Sequence, residues 1–529
     1  MKMAVRLLIF AVLSFSPLVC AVASAANIYY VIPRGDDAKD GMSAASAWKT
    51  CGKINKTNFE PGDTILFERG GEWREQLCVS SSGVPDKPVT FDAFGTGPKP
   101  KFFGSDVVPN NAFIALGGGK YSFKMPVKTD AVLQDHEFIP STWDKSAVTV
   151  TLSSTDPGTN GRLYTACTRG NVIYAANKKH IVLRNLIADE TAGQLDDGTI
   201  QGYGIRIERC TNVLLENCEA YRCGRHHFGA INTTGFIGRH LHAAYAMPNM
   251  PGGNTFYVAY ADEGAPAGIC TGEWDGLSAD HMEDGKNGLC PFFISHGPKQ
   301  GALLISNADS VSKLSFMSAP VTIKGGVIRG TGSIENFGAG ILIDGVTLLD
   351  NAAVDQWASD GMIQNCVGNS TPTNNGPTGY STAILLRDKA RNNVVRFNTL
   401  VSRRFACLTI LAQDSATQWF GNIMISENSN TVSCDHIPAG KEIDYNFYSP
   451  NHTICGQAFA SWQAKGFDTH SLNGTGDPKF VDAAKGDFHL QAGSPCLGAA
   501  KTNKERIAPK DFTGTTRPKS QSPNMGAFE

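Results

Sequence analysis

The sequence predicts an all-β chain folded as a right-handed parallel β-helix solenoid that carries a small β-insertion and a long loop insertion. The first observation is a returning phrase: VLRNLI at 182–187, LLENCE at 214–219, IKGGVI at 323–328, LIDGVT at 342–347, MIQNCV at 362–367, VRFNTL at 395–400, WFGNIM at 419–424 and IDYNFY at 443–448. The second is its period. Anchored on the Asn or Gly at 185, 217, 326, 345, 365, 398, 422 and 446, the later steps are 19, 20, 33, 24 and 24 residues. A short β-rich phrase with a period near twenty is the mark of a solenoid, because one coil cannot bury its apolar face and neighbouring coils bury it for each other. The third is the Asn itself: stacked at a corner, each Asn can hydrogen-bond the one above and below, which satisfies polar groups that would be costly inside. Helical periodicity explains none of these segments.

Composition bounds the rest. The chain has 529 residues, a net charge of −2 and 56 glycines, long for one compact domain and ordinary for a solenoid that grows by adding coils. Neither a basic face nor a Lys/Arg-rich run is visible, which argues against a nucleic-acid partner. Residues 1–26 read as a secretory signal peptide: Lys2 and Arg6, an apolar run from Leu7 to Leu13, then Ala23-Ser24-Ala25. Nothing later is apolar for long enough to span a bilayer, so the expected location is secreted or periplasmic. Of 14 cysteines, 13 follow the leader, an odd number in a compartment that permits disulfides. Cys51 with Cys78, Cys270 with Cys290, and Cys434 with Cys455 are candidate bridges. Cys218 and Cys366 share one place in the repeat and are expected as buried, stacked thiols.

In chain order, 27–104 form the N-terminal cap and first coils, with strand-like runs broken by Gly/Asp turns and a short helix expected near 51–58. Residues 105–168 do not repeat and read as an inserted β segment. The solenoid core is expected over 169–455, interrupted by a loop insertion at about 225–320, and 456–529 close the chain. The opening Tyr29-Tyr30-Val31, Gly35-Asp36-Asp37, Ala47-Trp48-Lys49-Thr50 and Pro61-Gly62-Asp63-Thr64-Ile65-Leu66-Phe67, with DPKFVDAAKGDFHLQAGSPCLGAA and NMGAFE near the end, resemble secreted bacterial β-helix proteins of the pectate-lyase-like superfamily. That resemblance implies the fold and secretion. It leaves the reaction open, since the superfamily holds lyases, hydrolases, epimerases and non-enzymes.

The chemical candidates concentrate in the interval between Asn217 and Gly326, which holds six of the 12 histidines. A solenoid flank is a long shallow groove, and a linear polysaccharide has a repeat of similar scale, so the expected partner is a polysaccharide and the chain is expected as a monomer. The leading reading is β-elimination on a uronic-acid polymer. It needs a cation to neutralise the carboxylate, a base for the C5 proton and an acid for the leaving oxygen. His226 or His227 is the expected base and Arg222 or Arg225 the cation, with calcium held by Asp280, Glu283 and Asp284. Glycoside hydrolysis is the alternative and needs two flanking carboxylates, drawn from Asp275, Asp280 and Glu283, with Asp262 and Glu263 also nearby. Trp274, His281, Trp357 and Arg387 are expected to bind sugar. His240 and His242 alternate as two metal ligands on a strand would, though a strand edge explains them more simply. A non-catalytic polysaccharide-binding or cell-surface protein is the rival from another class, because no polygalacturonase or calcium-dependent pectate lyase motif is intact.

Overall fold

The structure, a computed structural model, describes all residues except 1–25, 130, 194–201, 248–252, 260–270, 281, 283–290, 297–301, 311, 318–319, 331, 370–381, 404–405, 414–415, 428–429, 438–441, 474–476, 503 and 520. Three 14-stranded sheets run its length. Each coil contributes one strand to sheet A, one to sheet B and one to sheet C in turn, as Lys179–Arg184, Ile187–Asp189 and Tyr203–Glu208 do. Pairing between coils is parallel, in register within each pair (Val182 opposite Leu214, Leu214 opposite Ile237), until the last pair of sheet C, Thr453–Ile454 with Gln457–Ala458, turns antiparallel. This is the parallel β-helix, right-handed as parallel crossovers almost always are.

The core is a set of inward columns. One runs Leu183, Leu215, Gly238, Trp274, Ile305, Ile323, Ile343, Ile363, Val395, Trp419 and Ile443, its side chains all buried. Trp274 is therefore core and not a sugar platform. The place a side chain at 238 would fill lies 3.1 Å from its ring, so Gly238 makes room for the indole. Each large side chain in such a column is worth about 1.5–3 kcal/mol of transfer free energy.

The repeat Asn proves to occupy two columns, not one. From Arg184 on, sheet A joins sheet B through two residues. Asn185, Asn217, Asn307 and Asn365 take the first place, with left-handed φ of 60°, 51°, 53° and 54°, a conformation Asn and Gly enter at low cost. Asn398, Asn422 and Asn446 take the second place and are buried. There Asn398 Nδ2 donates to Asn422 Oδ1 and Asn422 Nδ2 to Asn446 Oδ1, each at 3.0 Å. The ladder ends on buried Asp468, which accepts from Asn446 at 3.0 Å. Cys218 and Cys366 sit in this second column, buried, six coils apart rather than stacked, and burial pushes both thiols up to about 12.

The interval 225–320 is not one loop. Strands at His226–Ile231, Thr234–Arg239, His242–Ala244, Asn254–Ala259, Gly272–Asp275, Ser278–Asp280, Phe293–Ser295, Leu303–Ser306, Asp309–Ser310 and Leu314–Phe316 keep the coil rhythm. The added residues are spread over several connections between them, and the corner phrase is interrupted because His240 and Gly276 stand where the corner Asn would be before it returns at Asn307. The segment between sheets B and C of the first coils folds into two four-stranded antiparallel sheets, 105–167. Helix Cys51–Lys56, capped by the Thr50 side chain, lies against the first coils, with Cys51 and Ile54 in the core. The closing segment packs Cys496, Ile507, Ala508 and Met525 on Phe397, Phe420, Ile423 and Phe447. Cys434 and Cys455 are bonded, whereas Cys51 and Cys78 are free thiols; Cys270 and Cys290 lie outside the described residues. No helix among the described residues is long and apolar enough to cross a membrane.

Candidate functional site

Connection lengths single out one face. The A–B corner takes two residues per coil from Arg184 onward. Sheet C is reached and left through connections of uneven length, short at 177–178, 209–210 and 232–233 but long at 245–253, 281–292 and 370–383 on one side and 260–271, 296–302 and 387–393 on the other. Long connections on a solenoid are where function is carried. The A–B side is smooth and, in the last coils, covered by the closing segment, so variation in chain length concentrates at the two edges of sheet C.

The upper part of that face is polar and aromatic. Glu208, nearly buried, accepts from Tyr174 Oη at 3.0 Å and pairs with Arg206 at 2.9 Å and Arg209 at 2.8 Å. The Tyr203 ring lies across Gly229, where a Cβ would meet it at 2.5 Å, and in the next coils His226 stacks on Tyr257 at 4.3 Å, with His296 at 5.5 Å from Tyr257. His226 is sealed from solvent. Its Nδ1 accepts from Asn254 N at 3.2 Å, which leaves the ring proton on Nε2, and Nε2 has no partner. Burial, then the Arg225 charge, drives its pKa well below the usual imidazole value. The same two causes lower His296, which is exposed.

Further down the same face, two carboxylates stand in register on neighbouring coils: Glu335 is directly opposite Asp355. Coil spacing puts their Cα atoms about 4.8 Å apart. Each is held by a cation, Glu335 by Lys313 at 3.3 Å and Asp355 by both Arg387 Nε and Nη2 at 2.9 Å. An aromatic lip borders them. Phe337 stacks on Trp357 at 5.5 Å and the Arg387 guanidinium covers the Trp357 ring at 4.7 Å, while Met317 and Phe337 are 44% and 40% exposed.

The structure divides the expected site. His226 and His227 are both enclosed and neither can reach a substrate as a base. His227 turns its Nε2 to Ala244 O at 3.3 Å under the B–C corner, and burial lowers it to about 4. Arg222 goes to the sheet B side, clamped on buried Asp189 through Nε at 2.9 Å and Nη2, so its charge is already matched; burial raises the Asp189 pKa against that pairing. Asp280 also faces the sheet B side, 3.8 Å from His242 Nε2. Asp275 lies on sheet A, accepting from Ser306 at 2.8 Å and Asn307 at 2.7 Å, so it cannot pair with Asp280 across a sugar. Glu283, Asp284 and His281, with Asp262 and Glu263, lie outside the described residues. Among the described residues no three His, Cys, Asp or Glu side chains converge as a metal site, and His240 sits in a corner while His242 bonds Ser278. Arg225, Trp357 and Arg387 do belong to the sheet C face. Glu335 and Lys313 were missed. The signal existed: Glu335 precedes Asp355 by twenty residues, the step between Gly345 and Asn365.

No protein-family model and no curated protein matches the chain. Solved structures similar to it include the complex of XylC with xylose (10% identity, covering 95% of this chain and 98% of that one, TM-score 0.48). Another is a mannuronic acid specific polysaccharide family 6 lyase from human gut microbiota (11%, 82% and 90%, TM-score 0.46). A third is pectate lyase Pel9A (13%, 96% and 97%, TM-score 0.31). The likeness is one of fold.

Proposed function

We propose that the protein is a carbohydrate-active enzyme that cleaves a polysaccharide laid along sheet C, and that it does so by glycoside hydrolysis at Glu335 and Asp355. The observation that carries this reading is the in-register carboxylate pair on sheet C. Retaining glycosidases hold their two carboxyl groups about 5–5.5 Å apart, close to the spacing one coil imposes. Glu335, the more exposed of the two, is the proton donor to the leaving oxygen. Asp355, fixed by two bonds from Arg387, is the nucleophile that attacks the anomeric carbon, and water then releases the sugar with Glu335 acting as base. Lys313 and Arg387 orient the carboxylates, and the Phe337–Trp357 lip borders the sugar.

β-Elimination remains a second reading, favoured by Arg225 and the exposed His296 on the same face. In that reading His296 replaces the enclosed His226 as base, and calcium belongs to the test. The experiment incubates the mature protein with a panel of neutral and acidic polysaccharides, with and without calcium. New reducing ends without ultraviolet absorbance, with retained anomeric configuration, are the expected result. A rising absorbance from an unsaturated uronyl product overturns hydrolysis in favour of elimination. Binding without turnover across the panel leaves a polysaccharide-binding protein.

A further inference from the structure

Arg225 is a half-buried cation for which no side-chain hydrogen bond or ion pair is formed among the described residues. It precedes the sheet C strand His226–Ile231 at the upper end of the groove, half-buried. Its neighbours in sequence and space are matched: Arg222 has Asp189, and Arg206 and Arg209 share Glu208. Arg225 Nε is shielded from water and has no acceptor, and among the described residues no carboxylate pairs with the guanidinium. The ring beside it supplies no counter-charge either, because His226 turns its acceptor nitrogen to Asn254 and leaves only an N–H, itself without a partner. A partly desolvated charge is normally paired, and leaving one unpaired costs stability. An incoming anion would remove that cost, so the site is pre-set for one.

We propose that Arg225 is the cation of a specificity subsite that takes the carboxylate or sulfate ester of an acidic sugar. This deepens the reading of sheet C as the polysaccharide groove and rests on it. Four coil steps separate the strands of Arg225 and Glu335, about 19 Å along the axis. The subsite therefore selects a sugar several residues away from the bond being cut. It is a binding determinant and takes no part in bond cleavage.

The test uses the full mature chain carrying Glu335→Gln, so that no probe is turned over. Titration calorimetry compares an oligogalacturonate, a sulfated galactan oligosaccharide and a neutral cello-oligosaccharide, each long enough to span the interval. At least one acidic probe is expected to bind ten-fold or more tightly than the neutral one. Arg225→Met is expected to abolish that preference and Arg225→Lys to keep part of it. The two acidic probes tell carboxylate from sulfate. Because an unpaired charge is removed, the melting temperature of Arg225→Met is expected to stay level or rise. Equal binding of all probes, an unchanged preference in Arg225→Met, or a melting point lowered by several degrees would each overturn the proposal. With Glu335 intact, Arg225→Met is expected to raise KM on the acidic polymer and spare kcat; a collapse of kcat would instead place Arg225 at the reacting bond and overturn a distal role. If Glu335→Gln still cleaves, the hydrolase assignment fails, while the binding comparison on Arg225 stands or falls separately.

Discussion

The A–B corner and the B–C corner solve the same geometric problem in different ways. Both must turn the chain through a left-handed residue. At the A–B corner the residues are mostly Asn or Gly; the exceptions are His240, Phe397 and Tyr445, of which the last two pack beneath the closing segment. Every coil from Arg184 onward uses the same two-residue connection, and the buried Asn ladder satisfies its own polar groups. At the B–C corner Gly330, Asp350 and Asn351 are joined by Glu190, Arg222 and Tyr245, left-handed at φ of 55°, 45° and 61°. Such residues cost on the order of 1–3 kcal/mol each unless the surroundings fix them. Here the surroundings do: Glu190 is tied to Ser105, His136 and Thr165 of the inserted segment, and Arg222 to Asp189. Connection lengths there vary from coil to coil. Regularity marks the scaffold, and departure from it marks the face with work to do.

The sharpest way to break this contrast is at the carboxylate pair. Glu335→Gln and Asp355→Asn are each expected to lower turnover by about 10³-fold, within the usual range for a positioned acid or base, with unfolding midpoints unchanged. An effect of similar size from Asp444, which lies on the sheet A side, would remove the distinction between the faces.

The next largest effect is on pH-dependent stability at the B–C corner. Burial pushes the Glu190 carboxyl up, but hydrogen bonds from His136 and Ser105 and the charges of His136 and Arg74 outweigh it and lower the pKa from 4.5 to about 2. A folded-state value below the unfolded one stabilises fully above about pH 4.5, and that contribution is lost as pH falls toward 2. The shift corresponds to about 3 kcal/mol. Denaturant midpoints measured from pH 6 down to 2 are expected to drop along this limb, and Glu190→Gln is expected to flatten it.

Within the A–B corner the two Asn columns are expected to differ. Asn422→Ala removes the acceptor of the buried Asn398 backbone N–H and one bond each from Asn398 Nδ2 and Asn446 Oδ1, and is expected to cost about 2 kcal/mol. Asn217→Gly keeps the left-handed turn at an exposed place and is expected to stay within about 0.5 kcal/mol. Equal losses in denaturant unfolding would mean that the columns are not distinct.

The fold was legible because each coil repeats a local solution. The corner Asn or Gly, the alternation of apolar residues and the period are all written in consecutive residues, and the 434–455 bridge joins neighbouring coils. The site was legible only in part. The run 222–227 looked like one cluster, yet Arg222 faces the sheet B side, His227 turns under the corner, and Arg225 with His226 lies toward sheet C. Side chains in adjacent positions diverge wherever the chain turns between sheets. Trp274 looked like a sugar platform because nothing local says that Gly238, one coil earlier, leaves a hole of its shape.

By itself, then, the sequence determined that the chain coils, how often, and which residues mark the turns, since these depend on short-range backbone preference and apolar periodicity. Only the tertiary structure decided which residues face one another across coils. Glu335 meets Asp355, and Arg225 meets no carboxylate among the described residues, because lateral register is set by the stacking of whole coils. A shift of one residue there would send every side chain to the opposite face.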